Sequence, residues 1–463
     1  MAYFYTAGEK KARPGVYQRV SMRGTGPTAG ALNGVVAYVM AANWGPVDKV
    51  TTHESAKSIR ETYGTGASVD AACELFAAGA SIVYIKRLNG ANGTAGTAGT
   101  ADVDTTLKLT AKYPSSRTIV VNVKAKAGDS TKKQVDVIEG TKILESFEFA
   151  TNTTDETAAF LEAIAGSNYI TATKLAAGLI TAGEYTLTGT DPTNTAADYG
   201  DAFYALEPYS YNVLTTDSIE DDVFTLLCAY YVEALANGKL IMVVGGSTPK
   251  TKFEDRMAKA TACNSANCIY FGSSWATAEG TTLEGAPAIA RVAGTIAATP
   301  SNQSIVHSVV TGAVDLTEKL TNAQYTEAIK HGLLLLSAGP EGQIWFDSGI
   351  NTLVSPSADQ DEGWKKIRRV KTRYELMDRI DRTLAPKVGK INCDNDGIAY
   401  VIQCALGVIK EMIAEGKLSA GSFYEDPENP HAGDSAWFII ECDDTDSLEK
   451  IYLHYQFRYS ANN

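Results

Sequence analysis

Between Leu448 and Tyr459 the chain reads LEKIYLHYQFRY. Ile451, Leu453, Tyr455, Phe457 and Tyr459 alternate with Tyr452, His454, Gln456 and Arg458, a period of two in β-branched and aromatic residues that predicts a strand with one buried face. This stretch sits almost at the carboxyl end. Tethered on one side only, such a strand pairs within its own domain or is lent to the edge of a neighbour's sheet. The rest of the sequence has to supply one of those two partners.

With 463 residues, 44% of them hydrophobic and 21% charged, the chain is long enough for roughly two to four domains with cores of their own. Its formal net charge of −13 argues against direct binding to nucleic acid or to an anionic membrane, since both demand a basic surface. The amino terminus, MAYFYTAGEKKARPG, lacks the apolar core of a secretory signal, and no unbroken run of about 18 apolar residues occurs. Synthesis and assembly in the cytoplasm, without membrane insertion, are the expectation. Seven scattered cysteines fit reduced, mostly buried thiols. Cys263 and Cys268 are the only close pair, and without a second pair or a nearby histidine they favour packing over zinc.

Taken in order, residues 1–33 hold Gly and Pro at short intervals and read as an extended arm. Inside it Gly15, Val16, Tyr17, Gln18, Arg19 and Val20 form a second short β-prone stretch near a chain end. The spacing Gly24, Gly26, Gly30 is wrong for a dinucleotide loop, because no strand precedes it and Pro27 interrupts it. From Gly34 the pattern is α/β, with strands at Val35 to Met40 and Ile82 to Ile85 around a helix through Val69, Ala72, Cys73 and Phe76. Composition then breaks. NGANGTAGTAGTADVD, from Asn89 to Asp104, has little to bury and predicts a flexible link. Alternating Thr/Val/Lys strands follow, with a short helix near Glu156 to Ile164, up to about Gly200. The α/β character resumes from Ala205: Ser218-x-x-Asp221 resembles a capping box for a helix ending at Gly238, Leu240 to Val244 is a buried strand, and Thr321-x-x-Gln324 caps another helix. Leu333 to Leu336 and Gln343 to Phe346 flank a hairpin turn. From about Ser357 an α+β unit follows, with an apolar helix stripe at Ile398, Ile402, Leu406, Ile409 and Ile413.

These segments predict an α/β and α+β multidomain fold. A discontinuous α/β core (34–90 with 200–356) carries an inserted β-rich domain (91–199). A carboxyl-terminal α+β domain (357–447) follows, with strand arms at 1–33 and 448–463.

No spacing in the chain brings a nucleophile, base or ligand set together. There is no H-E-x-x-H, P-loop or G-x-S-x-G, and His53, His307, His331, His431 and His454 lie on separate elements. Catalytic, cofactor-binding and metal residues are therefore expected to be absent. Asp394-Asn-Asp-Gly397 lacks the later ligands of a calcium loop and reads as a helix cap. One local feature runs against the acidic total: Lys365, Lys366, Arg368, Arg369, Lys371 and Arg373 lie within nine residues free of acids. Such a run is either a solvated face or a docking surface for an acidic partner.

The carboxyl domain, WKKIRRVKTRYELMDRIDRTL, VGKINCDNDG and SLEKIYLHYQFRY, resembles the tube-proximal domain of contractile phage tail sheath proteins, especially those of Gram-positive myophages and phage-like bacteriocins. ARPGVYQRV, LEPYSYNVLTTDS, PAIARVAGTIAATPSNQSIVHSVVTGA and SGINTLVS resemble the same family's core. The resemblance covers most of the chain outside roughly Ala91 to Gly200, which in the family is a variable, outward-facing insertion. It implies a non-enzymatic subunit of stacked hexameric rings around a tail tube, needing no cofactor, with the tube, baseplate and tail terminator proteins as partners. The arm strands would be Gly15 to Val20 and Ile451 to Tyr459, and the basic run from Lys365 to Arg373 would fall in the domain facing the tube. Another structural tail or baseplate component, and a cytoplasmic α/β enzyme with an unrecognised site, are the alternatives.

Overall fold

The computed structural model describes residues 33–358 and 360–458, together with the backbone at 3–4 and 17–18. Val35–Met40 is an unbroken apolar hexapeptide, VVAYVM, buried at every position. A strand with no solvated face requires layers on both sides, the usual setting of a parallel sheet. It sits within a seven-stranded sheet ordered Leu333–Leu334, Cys268–Phe271, Met242–Gly246, Val213–Thr216, Val35–Met40, Ile82–Arg87, Val50–His53. All neighbours run parallel except Val50–His53, which pairs antiparallel with Ile82–Arg87.

Strand alternation divides the core into two layers. Val36, Tyr38 and Met40 join a cluster with Ile59 and Tyr63, with Val69, Ala72 and Leu75, and with Ile289, Val292 and Ile296 of the Ala286–Ala298 helix. Val35, Ala37 and Val39 lie on the opposite side with Tyr199 and Phe203 of Ala196–Ala205, and with Val223, Leu227 and Tyr230 of Asp221–Ala236. Gly294 permits the closest helix contact. A Cβ there would stand 2.5 Å from the Leu75 carbonyl oxygen, so only glycine lets Ala286–Ala298 settle against Ala67–Ala77.

Residues 100–188 build a core of their own, with Val121, Val123, Val135, Val137, Phe149, Phe160 and Leu187 buried. Lys142–Ala150, Lys132–Glu139, Thr118–Ala125 and Gly183–Thr188 form one sheet, and Ile170–Lys174, Leu107–Ala111 and Thr100–Val103 another. The tract entering this unit corrects the expectation of a flexible link. Thr94 and Thr97 make paired backbone hydrogen bonds with Thr193 and Thr190, at 2.9–3.0 Å. A Cβ on Gly93 would lie 2.0 Å from the Thr193 carbonyl oxygen. The glycines allow close approach in a two-stranded stem, where sequence alone suggests slack chain. Trp44 fastens the unit further: its ring meets Tyr113 edge-on at 5.3 Å and stacks with Tyr169 at 5.7 Å. Buried Arg87 donates to the carbonyls of Ala42, Gly45 and Pro114 at 2.6–2.8 Å.

Two boundaries also differ from expectation. The helix Ala196–Ala205 crosses the division drawn at 199/200; Tyr199 and Phe203 belong to the core sheet's cover, and the preceding Pro/Thr-rich turn hid that periodicity. Ser218 is not the N-cap: the Asp221–Ala236 helix starts after Glu220, and the Ser218 hydroxyl only accepts the Glu220 amide at 3.2 Å. Thr321 and Gln324, by contrast, form the reciprocal capping box on Asn322–Lys330.

The carboxyl-terminal unit consists of Ile367–Leu384, Asn395–Ala414 and the hairpin Leu418–Glu425 with Phe438–Asp444. Asp394 caps the second helix by accepting the Gly397 amide at 2.8 Å. That helix is long and apolar enough to span a membrane by composition, although Gln403, Lys410 and Glu411 break its apolar run. Its Ala405, Val408, Ile409 and Met412 instead fill a core with Leu376, Ile380, Leu418 and Phe423. The Ile367–Leu384 helix is shared: Ile367, Val370 and Tyr374 belong to the central core, while Leu376 and Ile380 belong to the carboxyl-terminal one.

Candidate assembly surface

The hairpin strand Phe438–Asp444 leads into the acidic turn Asp443-Asp-Thr-Asp446. Its last backbone tie is the Thr445 amide, donating to the Lys417 carbonyl at 3.0 Å. Around this turn the basic run closes. Arg369 donates twice to Asp444, at 2.8 and 2.5 Å, and Arg373 adds a third bond at 3.1 Å. Lys366 reaches Asp446 at 2.6 Å and Glu449 at 3.0 Å, and the Ser304 hydroxyl donates to Glu449 at 3.2 Å. Arg368, almost fully buried, lies 3.9 Å from Asp446, and Lys365 pairs with Glu362 at 2.8 Å. Lys371 points the other way. Its buried amine donates to the carbonyls of Ile296, at 2.5 Å, and Thr299 at the end of the Ala286–Ala298 helix.

The electrostatics follow the geometry. Burial opposes ionisation of Asp444, but the hydrogen bonds from Arg369 and Arg373 outweigh it and hold the carboxyl below its usual range. Asp446 is likewise lowered by Lys366 against the cost of burial. Burial pushes the Lys371 amine down to about 7, opposed by the charge of Glu375. The run from Lys365 to Arg373 is thus ion-paired or hydrogen-bonded within the chain and is not a free basic face. The acidic partners of Lys366, Arg369 and Arg373 in this turn lie more than 70 residues downstream, and the sequence signal that could have revealed them is the complementary charge of KKIRRVKTR and DDTD.

Beyond Glu449 the support ends. Residues 451–458 form no ladder with any described residue. Ile451 is 70% exposed, Leu453 68%, Tyr455 70% and Phe457 92%, and Tyr452 on the alternate side is 87% exposed. Both sides of the alternating pattern therefore face solvent. Tyr455 and Phe457 stack on each other, at 6.3 Å between centroids. A segment rich in large apolar side chains and open backbone groups is a ready partner for another sheet edge. At the other end Tyr17–Gln18 forms a short strand, parallel to Tyr3–Phe4. Gly15, Val16, Arg19, Val20 and Tyr459 lie outside the described residues.

The histidines remain apart. His53 is held by Thr51 and Ser58, at 2.8 and 2.9 Å, and burial lowers it to about 4; His331 meets Thr261, and His431 meets Glu425. A cleft of about 650 Å³ between the core sheet and the Ile367–Leu384 helix is lined by Glu207, Lys239, Lys371 and Arg382, among others. There the Lys239 amine donates to the Leu206 and Glu207 carbonyls and covers the Tyr211 ring at 4.0 Å. These contacts tie the cleft wall together.

Residues 193–352 match the model of the phage tail sheath protein central domain, a span running from the Ala196–Ala205 helix through the later strands of the core sheet. The phage-like element PBSX protein XkdK of Bacillus subtilis is 22% identical over 97% of this chain and 98% of its own length. An uncharacterised protein of the same organism, YqbK, is 22% identical over 86% of each. The crystal structure of the sheath tail protein of Desulfitobacterium hafniense is similar with a TM-score of 0.72 at 20% identity, covering 93% of this chain and all of that one. The contracted helical sheath of the anti-feeding prophage gives 0.56 at 11% identity, covering 96% and 99%, and a chain of that particle's baseplate gives 0.58 at 11%, covering 97% and 100%. Residues 193–352 thus match the phage tail sheath central domain, and the fold of the chain is similar to that of solved sheath tail proteins.

Proposed function

We propose that this chain is the structural subunit of a contractile tail sheath, polymerising as stacked hexameric rings around a tail tube and shortening to drive that tube through a bacterial envelope. The observation that carries the reading is the segment 448–458, which leaves a clamped root at Asp444–Glu449 and presents exposed, β-patterned side chains. Such a strand gains a partner from a neighbouring subunit by pairing along a sheet edge. The amino-terminal stretch Gly15 to Val20 is proposed as the second donated strand. About five to eight backbone bonds at roughly 0.5–1.5 kcal/mol each would hold a donated arm by on the order of 5 kcal/mol, and burial of Ile451, Leu453, Tyr455 and Phe457 would add about 1.5–3 kcal/mol apiece.

In this reading the domains are a discontinuous core (34–90 with 200–356), an outward insertion (91–199), a tube-proximal unit (357–447) and the two arms. Backbone pairing joins subunits while the cores repack, and the shorter state is favoured by better-matched core contacts without nucleotide hydrolysis. The particle is assembled in the bacterial cytoplasm, with the tube, baseplate and terminator proteins as partners. Likeness to a baseplate chain of the anti-feeding prophage favours a structural baseplate component as the second reading.

The test is a chain ending at Lys450, produced beside the full chain and imaged by negative stain. The full chain is expected to form long striated cylinders and the truncated one to remain folded and unpolymerised. Cylinders of normal length from the truncated chain would overturn the arm mechanism, and short caps in place of cylinders from the full chain would favour the baseplate reading.

A further inference from the structure

Three elements of the core converge on one point. The middle of the Asp221–Ala236 helix brings Cys228, the last turn of Phe253–Cys263 brings Cys263, and the first residue of the strand Cys268–Phe271 brings Cys268. Their three sulfur atoms lie within 4.8 Å of one another, and Sγ of Cys228 is 3.7 Å from Sγ of Cys268. We propose that these thiols form a binding site for a thiophilic d10 dication of the zinc class, with water completing a tetrahedron. The site is independent of the sheath reading.

The spacing fits the ion. Metal–sulfur bonds of about 2.3 Å in a tetrahedron set sulfur atoms about 3.8 Å apart, close to the Cys228–Cys268 separation. A disulfide would instead need about 2.05 Å, so the pair stands at ligand distance and well beyond bonding distance. The frame is rigid. Cys268 starts a central strand and is fully buried, while Asn264, in left-handed conformation at φ 36°, ends the helix that carries Cys263. Cys228 and Cys263 are only partly buried, so they stand nearer the surface than Cys268. No His, Asp or Glu among the described residues joins the cluster, so solvent supplies the fourth ligand. The two close cysteines are plain in the sequence, but the third comes from 35 residues upstream of Cys263 and only the fold brings it in. Binding replaces three thiol protons by one cation and staples two helices to a strand of the central sheet.

The experiment titrates the full chain, reduced and stripped of metal, with Co(II) alone and then with Zn(II). One Co(II) per chain is expected, with a sulfur-to-cobalt charge-transfer band and tetrahedral ligand-field bands, all bleached by one equivalent of Zn(II). Cys228→Ser and Cys263→Ser, at half-buried positions, should each lose the charge-transfer band while keeping the circular dichroism of the native fold. Cys393→Ser, in the carboxyl-terminal unit, should keep it. Zn(II) should also raise the melting temperature of the native chain by several degrees and leave that of Cys263→Ser unmoved. A native chain with no charge-transfer band, an octahedral cobalt spectrum, or an equal band in the double serine variant would overturn the assignment. Should one serine variant fail to fold, the absence or presence of the native chain's band and melting shift still decides.

Discussion

The strand Val35–Met40 and the segment 451–458 draw on the same kinds of residue, β-branched and aromatic, and meet opposite surroundings. The first is covered on both faces by helices; the second has large apolar side chains open to solvent on both sides. A chain of this size can hide such a hexapeptide easily, so the exposure of the second segment reflects the lack of a local partner. The contrast teaches that β-patterning specifies a strand, while the neighbour that completes it is set by topology. One segment is packed into the core, and the other lies open to solvent.

That contrast can be broken by experiment. Ending the chain at Lys450 should abolish polymer formation entirely while shifting the melting temperature of the monomer by less than about 2 °C, since surface groups that touch nothing contribute little to stability; a large loss of stability would show that the segment belongs to its own domain. Tyr38→Ala, in the hexapeptide, should destabilise folding by about 3–5 kcal/mol, measured by urea unfolding, with assembly failing only because the fold fails. Arg369→Ala leaves Asp444 short of two hydrogen bonds and should cost about 1–3 kcal/mol; because the clamp is the root of the arm, limited proteolysis should cut sooner near Asp446 than in the native chain.

A smaller effect sharpens the comparison through pH. Lys371 titrates near 10.5 when unfolded and about 7 when folded, so between those values the unfolded chain binds more protons and stability rises with pH. Relative to Lys371→Met, the native chain should therefore gain stability as pH climbs from about 7 to 10, seen in paired unfolding curves; a constant difference would mean that the carbonyls of Ile296 and Thr299 keep the amine charged throughout. Smallest of all, Phe457→Ser should change monomer stability by less than about 0.5 kcal/mol, yet weaken polymers visibly under dilution.

Much of this was legible from residue order. The double-sided burial of VVAYVM, the capping box at Thr321 and Gln324, and the Asp394 cap are local signals, and local signals survive into the fold. What escaped depends on distant pairing. The Gly/Ala/Thr tract reads as slack until Thr190 and Thr193 return beside it, and the basic run reads as a free surface until the acidic turn closes on it. The carboxyl-terminal alternation was recognisable as a strand pattern, and its want of a partner among the described residues became visible only with the fold in place.

The helix Ile367–Leu384 has one end embedded in the central core and the other in the carboxyl-terminal unit, with Arg369 and Arg373 gripping the base of the arm. Tension applied to the tail end is therefore delivered through an ion-paired collar into a stiff rod, and from there to the seven-stranded sheet. Among the described residues that route consists of ion pairs and packed helix, so a pull on residues 451–458 would be passed to the whole body of the chain.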